Sequence, residues 1–264
     1  MSIASTEVQG TSNTLRDSGT LEEKIAAHIV KAVDSAEAAQ EPYCHYYIEN
    51  VFPSDIYGQI IDNLPAPSFY APLNLKEWSR ADGESTRDRL FLSKEGLAGL
   101  PEEIREFWQS IAGVLTSEQL KRTVFAKLAK DIALRFGCAV NEVPNIKAYP
   151  RAVLMRDTEG YRIKPHPDGT NRIVTMLYYL PRDASQEDLG TSVYKRQPWT
   201  KRILGEGFKE VERFPFRPNS SCAFVVNRLP NKTSWHGREL VGADAGVRNL
   251  ILCQYRVSDD EHSY

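Results

Sequence analysis

Apolar and polar positions alternate in two different ways along the chain. From Thr20 to about Phe136 apolar residues recur at three- and four-residue steps, whereas after Val143 they gather into short runs separated by Gly, Pro, Asn and Asp. The first regime predicts helices. Leu21, Ile25, Ile29 and Val33 mark one helix face, opened by Thr20 and Glu23 at capping-box spacing. A short strand over 45–52 follows, and Pro53, Ser54 and Asp55 open a helix that ends near Leu64. Two further helices are predicted over 100–115 and 117–136, the first starting with Pro101, Glu102 and Glu103 and the second stopping at Gly137. The polar stretch 65–93 between them reads as a long loop. The second regime predicts strands near 145–156, 160–166, 171–180, 192–195, 221–226 and 247–257. Helices first and strands second give an α+β chain, with a largely antiparallel β core backed by N-terminal helices.

Composition removes several classes. The 33 Lys+Arg against 35 Asp+Glu leave a formal charge of −2, without the basic surplus that phosphate neutralisation requires, so no nucleic-acid partner is expected. No apolar run approaches the roughly 20 residues that span a bilayer. Cys44, Cys138, Cys222 and Cys253 lie far apart with no CxxC pair, which argues against a disulfide scaffold or a zinc ribbon. Residues 1–19 are rich in Ser, Thr and Gly and lack a basic stretch followed by an apolar one. They read as a loose, disordered tail, and the protein as cytoplasmic. The remainder, 20–264, reads as a single domain, mainly helical over 20–143 and β over 144–257.

Of the five histidines, two sit in unusual surroundings: His166 in Lys-Pro-His-Pro-Asp-Gly and His236 in Ser-Trp-His-Gly-Arg. In an extended segment residues i and i+2 project to the same side, so His166 and Asp168 converge. Pro165 and Pro167 restrict the backbone around them, and Gly169 permits a sharp exit. Two neutral imidazoles and one carboxylate make a facial triad that leaves three Fe(II) positions open. Arg248 heads the apolar run Arg-Asn-Leu-Ile-Leu-Cys-Gln-Tyr, where an inward guanidinium would need a carboxylate partner; in solvent it would be an ordinary strand-edge arginine.

Taken together, Arg156 to Asp168, Val174 to Pro181, Gly190 to Tyr194, Arg217 to Phe224, Trp235-His-Gly237 and Arg248-Asn-Leu resemble the iron(II)- and 2-oxoglutarate-dependent oxygenases, most closely prolyl-hydroxylase-like bacterial members of the small-molecule or polysaccharide-cluster type. The resemblance covers about 145–257. It implies a double-stranded β-helix (jelly-roll, cupin-like) core with supporting N-terminal helices. It further implies a dioxygenase with His166, Asp168 and His236 on the iron and Arg248 on the far carboxylate of 2-oxoglutarate. Tyr178 would donate its hydroxyl to that co-substrate, with core packing as its alternative. The expected reaction is hydroxylation of an unactivated C–H of a small molecule, consuming O2 and releasing succinate and CO2.

The sequence leaves other readings open. The same three ligands would serve a Zn(II) hydrolase, and a non-catalytic jelly-roll ligand-binding protein would keep the fold. Arg156 and Tyr194 are the candidates for substrate contact. Residues 191–213 carry six basic and three acidic side chains, which suits either an anionic substrate or a solvated face. The 68–93 segment, with Trp78, Arg80, Arg87 and Arg89, reads as ordinary surface or as a lid.

Overall fold

The computed structural model describes residues 19–203 and 205–259; the tail expected over 1–19 lies almost wholly outside them. In chain order the elements are α1 (Leu21–Ser35), β1 (His45–Glu49), α2 (Ser54–Asp62), β2 (Ala71–Pro72), β3 (Arg87–Phe91), α3 (Lys94–Leu97) and α4 (Glu102–Leu115). There follow α5 (Glu118–Lys127), α6 (Ala129–Phe136), β4 (Tyr149–Asp157), β5 (Ile163–His166), β6 (Arg172–Tyr179) and β7 (Thr191–Arg196). The chain closes with α7 (Trp199–Ile203), β8 (Phe208–Phe214), β9 (Ser220–Val225), β10 (His236–Arg238) and β11 (Arg248–Arg256).

Local chemistry sets the helix ends. The Thr20 hydroxyl accepts from Glu23 N at 3.2 Å while the Glu23 carboxylate accepts from Thr20 N at 2.9 Å, which satisfies two otherwise orphaned amides at the start of α1. Gly137 adopts φ +66° and stops α6 in the left-handed conformation that glycine takes without strain. The helix expected over 117–136 is two, α5 and α6, because the chain leaves helical geometry at Leu128.

Two antiparallel sheets face each other. The larger has the order β1-β9-β6-β11-β4-β3-β2 and the smaller β5-β10-β7-β8. Alternation along the large sheet's strands divides its two faces. Val174, Met176 and Tyr178 of β6, with Ile251, Cys253 and Tyr255 of β11, join the apolar faces of the helices in one core. Leu177, Tyr179 and Leu250 face the other way, toward Val193, Phe214 and Phe216 of the small sheet and its flanking turn. The region expected to be mainly helical also donates β1, β2 and β3 to the large sheet, so part of the 65–93 "loop" is a hairpin on its edge.

Candidate metal centre

His166 closes β5 and His236 opens β10, and these antiparallel strands place the two residues directly opposite one another. Their rings are 4.4 Å apart between centroids. Asp168 Oδ1 lies 3.8 Å from His166 Nε2 and 3.9 Å from His236 Nε2, and one ligand atom from each residue falls within 4.8 Å of the others. Such a cluster offers two nitrogens and one oxygen to a single point, a donor set that suits a first-row divalent metal.

The ring orientations are fixed from behind. Nδ1 of His166 bonds the Lys164 carbonyl at 3.0 Å, and Nδ1 of His236 the Ser234 carbonyl at 2.9 Å. A carbonyl only accepts, so each Nδ1 carries a hydrogen and each Nε2 is the atom turned toward Asp168. Burial, helped by the neighbouring His236, pushes His166 down to about 4, which keeps that imidazole neutral. Asp168 is buried, which pushes its carboxyl up, but His236, Arg172 and the Thr175 hydroxyl outweigh this and hold it down to about 2. Thr175 Oγ1 donates to Asp168 Oδ2 at 2.6 Å. The Phe224 ring, 4.4 Å from His236, covers one side.

Gly237 lets the two ligand strands approach. A Cβ there would stand 2.8 Å from the Ile163 carbonyl and 3.2 Å from Pro165 N, closer than a side chain tolerates.

The triad opens into a cavity of about 910 Å³ between the sheets, walled by Leu73, Trp78, Phe91 and Leu252. Arg248 lies at one end, buried, as the inward reading of its strand expects. Its Nη1 meets Asp157 Oδ2 at 2.7 Å, its Nε donates to the Leu189 carbonyl at 2.7 Å, and its guanidinium lies 4.8 Å over the Phe216 ring. Asp157 is shared: its Oδ1 is 3.1 Å from Arg87 Nε. Near them Arg238, only 4% exposed, lines the cavity with Nε and Nη1 lacking any hydrogen-bond partner among the described residues. Burial, reinforced by Arg248, pushes Arg238 down to about 10.

Three expectations are corrected. Tyr178 belongs to the helix-side core, its ring 5.5 Å from Phe52 and its hydroxyl toward Met176 Sδ, so it cannot reach the cavity. Strand alternation gives the inner face to Thr175, Leu177 and Tyr179 instead, and the Tyr179 ring lies 5.5 Å from the Arg248 guanidinium. Arg156 points away and pairs with Asp88 at 3.0 Å over a separate surface cleft. Tyr194 bonds Glu239 at 3.1 Å and packs beside Phe208, off the cavity. The basic stretch 191–213 contributes only Thr191 to the lining, and Lys195, Arg196, Lys201, Arg202 and Lys209 are exposed. The 68–93 segment, by contrast, supplies Trp78, Arg87 and Arg89 to the cavity.

Sequence reasoning missed Arg238 and Asp157. The signal for Arg238 was available, since it follows His236 by two residues and so shares its side of the strand. Asp157 carried no local cue, as its partners Arg87 and Arg248 come from distant segments.

No family model and no curated protein matches the chain. Among solved structures it is similar to a prolyl-4-hydroxylase of Pseudomonas putida, with TM-score 0.51 and 12% identity over 89% of this chain and 99% of that one. It is also similar to an oxidoreductase of the 2OG-Fe(II) oxygenase family from Burkholderia pseudomallei, with TM-score 0.48 and 13% identity over 92% and 93%. The 2-oxoglutarate-dependent epimerase SnoN of nogalamycin biosynthesis gives TM-score 0.47 and 11% identity over 89% and 81%. The mixed helical and antiparallel sheet fold is thus that of the Pseudomonas hydroxylase. Among the described residues no helix is long and apolar enough to cross a membrane.

Proposed function

We propose that the protein is an Fe(II)- and 2-oxoglutarate-dependent oxygenase acting on a C–H bond of a small molecule. The observation that carries this reading is the convergence of His166, Asp168 and His236, each held by its own hydrogen bond, at the mouth of a walled cavity. The fold supports it. From β4 to β11 the chain changes sheet at every step except β7 to β8, giving the orders β4-β11-β6-β9 and β5-β10-β7-β8, which supports reading the core as a double-stranded β-helix.

His166, Asp168 and His236 would hold the metal, whose neutral imidazoles and single carboxylate suit Fe(II). Bound there, Fe(II) supplies the activation of O2 that couples substrate oxidation to conversion of 2-oxoglutarate into succinate and CO2. The chain's own groups bind and orient. Thr175 and Arg172 fix the Asp168 carboxylate, and the Lys164 and Ser234 carbonyls fix the imidazoles. Arg248 and Arg238 would take the far carboxylate of 2-oxoglutarate, with Arg238 the better placed of the two because Asp157 already compensates Arg248. Leu73, Phe91 and Leu252 exclude water from the space beside the triad.

The test is anaerobic titration of the Fe(II)-loaded protein with 2-oxoglutarate, followed by the weak visible charge-transfer band of the chelated keto acid. The band is expected in the wild type and absent in His236→Ala. Bound iron without a band would overturn the reading in favour of a hydrolytic metal centre.

A further inference from the structure

The cavity's charge contrasts with that of the chain. Nine of its lining side chains are Arg or Lys and two, Glu77 and Asp168, are acidic, a surplus of seven positive charges in a protein whose formal charge is −2. Counting Asp157 behind the wall lowers the surplus to six. The co-substrate does not absorb it, because 2-oxoglutarate is a dianion and Fe(II) a dication, so loading both leaves the balance unchanged. That step rests on the oxygenase reading. A concave site of one sign with low-dielectric walls concentrates ligands of the opposite sign.

Two of these cations are placed for a ligand beside the triad. Arg89 of β3 and Arg151 of β4 flank the Phe91 ring, their guanidinium carbons 4.9 and 5.6 Å from its centroid. Burial and the nearby Arg151 together hold the Arg89 guanidinium below its ordinary range. Register fixes the distance to the chemistry. Arg151 is opposite Gln254, and Gln254 is opposite Thr175, the residue that holds Asp168. Two inter-strand spacings, about 10 Å, therefore separate the Arg151 backbone from that of Thr175. Leu73, Leu75, Trp78 and Leu252 line the same space with apolar surface.

We propose that the primary substrate is a small oxyanion with an apolar body, its carboxylate, phosphate or sulfate group docking on Arg89 and Arg151 while the body reaches along the wall to the triad.

The test uses two dyes with related aromatic bodies, 8-anilinonaphthalene-1-sulfonate and the uncharged N-phenyl-1-naphthylamine. Both are titrated by fluorescence into the full chain with Mn(II) and saturating 2-oxoglutarate, so that the co-substrate's own subsite is filled. The sulfonate is expected to bind at least about tenfold more tightly, and an Arg89→Gln, Arg151→Gln double variant to lose most of that preference. Arg151→Gln alone should lose part of it and Arg151→Lys should retain it, which separates charge from folding. Equal binding of both dyes, full displacement of the sulfonate by 2-oxoglutarate, or a preference untouched in the double variant would each overturn the proposal. Asp168→Ala should keep the preference while losing turnover, so failure of the oxygenase reading is read separately.

Discussion

The Thr175 hydroxyl holds Oδ2 of Asp168 at 2.6 Å, and the other oxygen, Oδ1, stands almost equidistant from the two imidazole Nε2 atoms at 3.8 and 3.9 Å. Thr175 thereby anchors one carboxylate oxygen, while the other, which also accepts from Arg172 Nη1, faces the two imidazoles. Thr175→Val keeps the shape of the side chain and removes the anchor. Affinity for Mn(II) or Fe(II) should fall about 10–100-fold, measured by anaerobic calorimetry, with the thermal transition little changed. Unchanged affinity would mean that Arg172 alone orients the carboxylate.

Arg238 is a buried cation of which two nitrogens have no hydrogen-bond partner among the described residues, which costs stability in the free protein. Arg238→Met should raise the unfolding midpoint of the ligand-free protein, by roughly 2–4 °C for about 1 kcal/mol. The same variant should raise the KM for 2-oxoglutarate at least about tenfold. A variant that is more stable and equally active would remove Arg238 from co-substrate binding.

Asp157, fully buried, compensates Arg87 and Arg248 together. Asp157→Asn strands both guanidinium groups and should cost about 3–5 kcal/mol, read as a lower urea midpoint. A loss below about 1 kcal/mol would show that water or the Leu189 carbonyl already satisfies Arg248.

The four cysteines should differ in reactivity. Burial pushes Cys44 up to about 11 and Cys222 and Cys253 up to about 12, so each is a thiol at pH 8, where the nucleophile is the thiolate. Cys138 is only partly buried. Iodoacetamide on the native protein should therefore label Cys138 first, and mass spectrometry after digestion would show it; prompt labelling of Cys222 would mean that the sheets open readily.

What the sequence revealed follows from what faced what. Helix α1, with one apolar stripe against the core and one polar face in solvent, was legible from Leu21 to Val33, as was β11, apolar along most of its length. Strand β3 was not. Its Arg87 and Arg89 face a cavity rather than a packed core, so the charges that look like loop are in fact its inner positions. β8 escaped for the opposite reason: it is an edge strand exposed from Lys209 to Arg213, with no buried face until Phe214. The proposed metal ligands stood out because His166 and Asp168 sit close in sequence. The arginine and aspartate network around Arg248 did not, because only the sheet register brings Arg87, Asp157 and Arg248 side by side. Tyr178 and Thr175 lie on opposite faces of β6, and periodicity alone does not say which face is inner; the cavity takes Thr175, and Tyr178 packs in the helix-side core.

Because Gly237 brings β10 against β5 backbone to backbone, the separation of His166 from His236 is set by main-chain contact rather than by side-chain packing that could relax. A centre built this way is in place before any ion arrives. Metal uptake at the proposed centre would then resemble insertion into a finished socket rather than a folding event. With little room for the protein to adjust to one radius or another, the socket would favour ions whose preferred geometry it already matches, and supply in the surroundings would decide among those.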